Sequence, residues 1–247
     1  MICIPVVATT NETALEQMGR CFREADVVEL RIDLIQDVDL PLLLSKRQGK
    51  VLVTNRKKEE GGKFSGTEDE RVSLLCKAVA EGAELVDIEL ATASVLVKRL
   101  SDSIAKYEGR TQLVLSYHNH TETPSEGELL SLLDESIACG APIIKIVTMA
   151  QSVRDNLRIL NLLTHAKRGN RKIIAFCMGE TGKISRVMAP FFGSYLSFAA
   201  LERGAKSAPG QLTVTELKEI MRVINNDGFV KSPTSAFRCI LRHCGVP

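Results

Sequence analysis

The chain has 247 residues, of which 45% are hydrophobic and 25% charged, a globular composition. Thirty-two basic residues against 30 acidic ones leave a net charge of +2, which gives no reason to invoke nucleic acid or an anionic membrane. No apolar run approaches the roughly 20 residues of a membrane helix, and the start MICIPVVATTNE lacks a signal-peptide pattern, so a cytoplasmic location is expected.

Apolar, β-branched runs recur along the chain at 2–8, 27–33, 50–56, 85–90, 112–118, 143–149, 172–178 and 195–201. Amphipathic helical patterns lie between them, for example NETALEQMGRCFREA, DERVSLLCKAVAEG and GELLSLLDESIACG. Several end at glycine, a common helix stop. Eight such units in this length predict an α/β fold, a single-domain (β/α)8 TIM barrel over residues 1–224. A doubly wound open sheet is the alternative, but no Gly-x-Gly-x-x-Gly follows the first run. The last helical pattern is VTELKEIMRVI. Residues 225–247 carry no element that a barrel needs and read as a tail, a linker or a poorly ordered end.

Seven cysteines without paired spacing read as reduced, mostly buried thiols. With four scattered histidines they indicate neither a disulfide framework nor a zinc site. The informative polar residues interrupt the apolar runs. They are Glu29, Arg31 and Asp33 in the second, Arg56 ending the third, Asp87 and Glu89 in the fourth, His118 ending the fifth, and Lys145 in the sixth. Side chains alternate along a strand, so Glu29 shares a face with Arg31, and Asp87 with Glu89. The C-terminal strand ends form the catalytic face of a barrel. A single charge there is as easily a solvated loop residue; recurrence on successive strands argues for a site. Lys145, inside GAPIIKIVTMA, is a misread surface residue, half of a buried ion pair, or a working amine, because a buried ammonium is costly unless paired or deprotonated.

Several segments carry a family resemblance: ELRID (29–33), TNRKKEEGG (54–62), DIEL (87–90), SYHNHTETP (116–124), IKIV (144–147), MGETGKISR (178–186), FGS (192–194) and SAPGQ (207–211). In this order, over residues 2 to about 224, they resemble the type I 3-dehydroquinate dehydratases. The resemblance implies a (β/α)8 barrel that dehydrates 3-dehydroquinate to 3-dehydroshikimate, the third step of the shikimate pathway, without metal or dissociable cofactor. It makes Lys145 the Schiff-base lysine, with desolvation and cations such as Arg186 freeing its lone pair. It makes His118 the general acid–base residue and Glu60 the carboxylate that orients it, with Glu59 the neighbouring rival.

Arg186 matches the arginine that grips the substrate carboxylate, for which a planar fork is suited. Glu29, Arg31 and Arg56 match a hydroxyl- and carboxylate-binding cluster, and Ser207 and Gln211 match the closing loop after strand 8. Asp87 and Glu89 are left outside the site as partners for the arginines. His120 stands where the family more often has an aromatic residue, and Asn119 where it has Asp. His165 and His243 read as surface residues. A homodimer is expected, and the tail raises an association with shikimate dehydrogenase, to which some relatives are fused. A Schiff-base aldolase barrel would also use a strand-6 lysine, but SAPGQ and Ser-x-His…Thr-Pro argue against it. A non-catalytic ligand-binding barrel is disfavoured by the presence of both Lys145 and His118, and a metal-dependent hydrolase because no further ligand set accompanies His118-Asn119-His120.

Overall fold

The apolar runs form eight parallel strands: β1 (Ile2–Val6), β2 (Val27–Arg31), β3 (Lys50–Thr54), β4 (Leu85–Glu89), β5 (Gln112–His118), β6 (Ile143–Met149), β7 (Lys172–Met178) and β8 (Ser197–Phe198). They alternate with helices α1 (Asn11–Cys21), α2 (Leu40–Ser45), α3 (Glu68–Ala80), α4 (Ser94–Lys106), α5 (Glu126–Ala138), α6 (Val153–Arg168), α7 (Lys183–Phe192) and α8 (Val214–Asn226). The structure is a computed structural model that describes residues 1–205 and 207–226. Of the tail expected over 225–247, residues 225 and 226 instead complete α8; the rest of it and His243 lie outside the described residues.

The hydrogen-bonded strand order is β7-β6-β5-β4-β3-β2-β1-β8. At the seam between its two ends, the Tyr195 N–H donates to the Ile173 carbonyl at 2.7 Å, drawing the approach to β8 against β7 and the sheet close to closure. The (β/α)8 expectation therefore holds, and the open-sheet alternative falls. Two details differ from the sequence reading. The eighth run spans 195–201, yet only Ser197–Phe198 form a ladder strand, because Ala200 turns its backbone to Leu212 and Val214. Asp33 and Arg56 lie just past the ends of β2 and β3, where the polar runs bend into loops.

Local sequence sets the helix starts. Thr67 and Glu70 form a reciprocal capping box before α3, as do Ser125 and Glu128 before α5, satisfying backbone N–H groups that the helix leaves unpaired. One face of the strands packs on the helices: Val28, Val53, Val86 and Ile88 join Met18, Leu43, Leu75 and Leu100 in one buried cluster. The other face turns inward, where Cys3, Val27, Leu52, Leu85, Val114, Ile143 and Ile174 make an apolar floor. Each such buried aliphatic side chain contributes about 1.5–3 kcal/mol. Two residues further along the strands, alternation puts Glu29, Thr54, Asp87, Ser116 and Lys145 directly above that floor, all of them buried. Among the described residues no helix is long and apolar enough to cross a membrane.

Candidate active site

The strand ends surround a cleft enclosing about 540 Å³, its open mouth included. Every residue predicted for the site lines it: Glu29, Arg31, Arg56, Glu60, His118, Lys145, Arg186, Ser207 and Gln211. His120, Gly61, Phe176, Met178 and Phe198 complete the wall.

Lys145 is 4% exposed, which removes the surface reading. Its Nζ lies 3.1 Å from Asp87 Oδ2 and 3.7 Å from Glu29 Oε1, over the face of Phe198 with 4.6 Å to the ring centroid. The charged groups in contact with this amine are thus carboxylates, not the arginines expected from the sequence. Both carboxylates are anchored. Glu29 accepts a hydrogen bond from Thr54 Oγ1 at 2.8 Å, and Asp87 one from Ser116 Oγ at 2.6 Å. Arg56 sits 2.9 Å from Asp87 and 2.7 Å from Glu89. Burial alone would raise the Asp87 carboxyl, but Arg56 and Lys145 outweigh it and hold Asp87 well below the usual carboxylate range. Asp87, set aside in the sequence reading, therefore touches the lysine. Glu89 keeps the structural part expected of it, bridging Arg56 and the fully buried Arg71 of α3 at 2.7 Å each. The signal for Asp87 was present: it stands two residues past the inward-facing Leu85.

Glu60, not Glu59, is the carboxylate that meets the histidine. Its Oε2 accepts the His118 backbone N–H at 3.0 Å and lies 2.9 Å from His118 Nδ1. The loop reaches this position through a tight turn at Lys58–Glu60, followed by Gly61 and Gly62. At Gly62 a Cβ would stand 1.8 Å from the Arg56 carbonyl oxygen, so the chain passes too close for any side chain. Burial raises the Glu60 carboxyl to about 7, against the pull of Arg56. Burial, with Arg56 and Lys145 nearby, pushes the His118 imidazole well below its ordinary value. Near neutral pH His118 is therefore a neutral base. An ionised Glu60 fixes its tautomer by accepting the Nδ1 proton, leaving the Nε2 lone pair free. His120 stands in the following loop with its ring stacked on His118, centroids 6.3 Å apart, and its Nε2 3.1 Å from the Glu60 carbonyl oxygen. His165 is exposed, as expected.

The wall that follows β7 carries a further cation. Arg186 is 5% exposed and lies on Phe176, with its guanidinium carbon 4.4 Å from the ring centroid. One edge donates to the Pro209 carbonyl at 3.3 Å, while its Nε is buried without a hydrogen-bond partner. Burial lowers its pKa to about 10, which still leaves it charged at neutral pH. Among the described residues no carboxylate pairs with it. Arg31, by contrast, is already neutralised by a two-pronged bond to Asp33, 2.8 Å on each arm. Ser207 and Gln211 bond to each other across their loop at 2.8 Å. That loop is joined to the one after β7: the Gly179 N–H donates to Pro209 O at 3.1 Å, and a Cβ on Gly210 would lie 2.0 Å from the Gly179 oxygen.

A near-closed βα barrel with a polar cleft at its C-terminal strand ends defines a TIM-barrel enzyme. Comparison with known proteins makes the family specific: the type I 3-dehydroquinase profile matches residues 2–227, and the chain belongs to that family. It is 37% identical over 229 residues to the 3-dehydroquinate dehydratase of Methanococcus maripaludis, covering 91% of this chain and all of the relative. Among solved structures it resembles the type I 3-dehydroquinate dehydratase of Clostridium difficile, determined with covalently modified comenic acid. That match has a TM-score of 0.82 and 26% identity, over 92% of both chains. The dehydroquinate dehydratase and shikimate dehydrogenase of S. pombe matches with a TM-score of 0.77 and 25% identity, over 91% of this chain and 44% of that one.

Proposed function

We propose that Lys145, His118 and Glu60 carry out the family's reaction, with Arg186 holding the substrate carboxylate. The activity is that of a hydro-lyase of the shikimate pathway: 3-dehydroquinate loses water to give 3-dehydroshikimate. The observation that carries the residue assignment is the buried Lys145 amine in a cleft whose lining also holds an arginine with no carboxylate partner among the described residues.

In this reading, Lys145 gives up a proton and its lone pair attacks the C3 carbonyl. Loss of that carbonyl oxygen as water leaves a protonated imine. The C2 proton passes to His118, and the electron pair of the C–H bond flows into the iminium. The C1 hydroxyl then leaves as a second water, protonated by the same imidazole, and the iminium re-forms. Hydrolysis of the imine consumes one water, releases the conjugated ketone and restores Lys145. The net change is the loss of one water.

Asp87 and Glu29 support this cycle because the ammonium and the iminium carry the same charge at the same place. Glu60 supports the imidazolium that forms when His118 takes the C2 proton. Glu29, Arg31, Arg56, Ser207 and Gln211 supply donors and acceptors for a polyhydroxylated anion. The reading also keeps one barrel unit, carried by α8 to Asn226, with a separate tail after it, a cytoplasmic homodimer, and an association with shikimate dehydrogenase. The pairing of the two activities in the S. pombe relative supports the last of these. Sedimentation of the full chain, alone and with that dehydrogenase, tests the assembly.

Borohydride tests the chemistry. With 3-dehydroquinate present it is expected to inactivate the enzyme and leave one covalent adduct on Lys145; without ligand, activity survives. An adduct on a different lysine, or full turnover by Lys145→Ala, rejects the assignment.

A further inference from the structure

Arg186 enters the cleft from the start of α7, and a residue of the neighbouring helix holds that start. Asn156 lies in α6 and is fully buried. Its side-chain amide donates to the Thr181 carbonyl at 2.9 Å, and its Oδ1 accepts the Ser185 N–H at 2.9 Å. The two bonds span the turn that launches α7, ending at the N–H of Ser185, the residue immediately before Arg186. From the other side, Ser185 Oγ accepts the Cys177 N–H of β7 and donates to the Gly182 carbonyl, each at 2.8 Å. The helix start is thus clamped between α6 and β7, with Arg186 the next residue.

Packing does not require an asparagine at this point. Around it α6 and α7 meet through apolar residues, including Leu160, Leu163, Ala189 and Phe192. Leucine is close in shape and a better helix former. Burying an amide is unfavourable unless its hydrogen bonds are made. Here they are made to backbone groups at a helix N-terminus, where the first N–H groups have no partner within the helix. The arrangement gives up helix propensity and gains direction: it fixes where α7 begins and how its first turn is rotated.

We propose that Asn156, outside the cleft, is a positioning residue for substrate binding, setting the Arg186 guanidinium at the height of the substrate carboxylate. The inference rests on the reading of Arg186 given above. Asn156 touches neither Lys145 nor His118, so its effect belongs in affinity and not in the chemical step.

A double-mutant cycle on the full-length enzyme tests this, with Asn156→Leu and Asn156→Ala each made alone and combined with Arg186→Ala. Either single change at Asn156 is expected to raise KM about tenfold with kcat within about twofold, inside the range for residues of one network. In the Arg186→Ala background the same changes are expected to alter KM less than about twofold, because no guanidinium is left to misplace. Equal penalties in the two backgrounds, or a loss confined to kcat, would overturn the proposal by reducing Asn156 to a general packing residue. An unchanged KM in Arg186→Ala alone would instead sink the carboxylate reading on which it rests.

Discussion

Glu60 Oε2 meets both the backbone N–H and the Nδ1 of His118, and burial inverts the usual order of their proton affinities: the carboxyl rises to about 7 while the imidazole falls well below its ordinary value. Neutral His118 persists over the working pH range, so the acid limb of the pH–rate profile belongs to Glu60. Below about pH 7 Glu60 takes up a proton and no longer accepts from Nδ1 as a carboxylate. We expect kcat/KM, which reports the ionisations of the free enzyme, to fall on that side and the limb to disappear in Glu60→Gln, measured from pH 5 to 9. His118→Ala is expected to lower kcat by about 10²–10⁴-fold, the usual worth of general acid–base assistance. His120→Ala, which loses only a bond to the Glu60 backbone, is expected to be much milder. Arg186→Ala strands the substrate carboxylate, at a cost of about 2–5 kcal/mol in binding, read from Kd for the product. Lys145 and His118 were legible because a charge or imidazole inside an apolar run breaks a simple pattern. Asp87 was present in that pattern but was assigned to the arginines, since sequence does not say which of two inward carboxylates lies beneath the lysine. Asn156 was invisible: a lone asparagine in an amphipathic helix gives no sign that both faces of its amide are bonded to the next helix.

Strands were the most readable elements, because burial on both faces gives continuous β-branched runs. β8 was the exception. Its seven-residue run is apolar enough for a full strand, yet its backbone leaves the ladder after two residues to bond across its own loop. Hydrophobicity reports burial, not the hydrogen-bond partner. The loops that carry the chemistry were legible in content and not in course: EEGGKFSGT shows glycines, but only the approach of Gly62 to the Arg56 carbonyl explains where Glu60 arrives. We expect residues 59–67 and 207–211 to gain hydrogen-exchange protection when substrate or product is bound, since water must be held off while the imine exists. Equal exchange with and without ligand would show that neither loop orders over the site.

For the whole molecule, the site is a source of pH-dependent stability. The buried Glu60 carboxyl holds its proton up to about pH 7, whereas in the unfolded chain it loses it near the ordinary 4.5 of a glutamate. The contribution is full below the unfolded value and lost as pH rises through 7. His118 acts oppositely: neutral in the fold and protonated in the unfolded chain below about 6.5, it costs stability in acid. Glu60→Gln should therefore raise Tm at pH 8 relative to the wild type, with the gap narrowing at pH 5. With the proposed electron sink an imine on Lys145, turnover is expected to survive exhaustive chelation. Loss of activity restored by one added metal would contradict the mechanism.

The seam where Gly179 and Gly210 pass main chain to main chain has a consequence for how a ligand is gripped. Pro209 bonds to Gly179 on one side and to the edge of Arg186 on the other, and no side chain fits between the two loops. On the roles proposed above, the clamp for the acid group and the cap over the hydroxyls share one main-chain contact, so we expect them to close together. A ligand stripped of its carboxylate forfeits the cap as well as the salt bridge, and one too bulky for the cap loosens the arginine. Discrimination at this face is then coupled: either misfit alone forfeits both contacts, so two misfits together cost less than the product of their separate fold-changes.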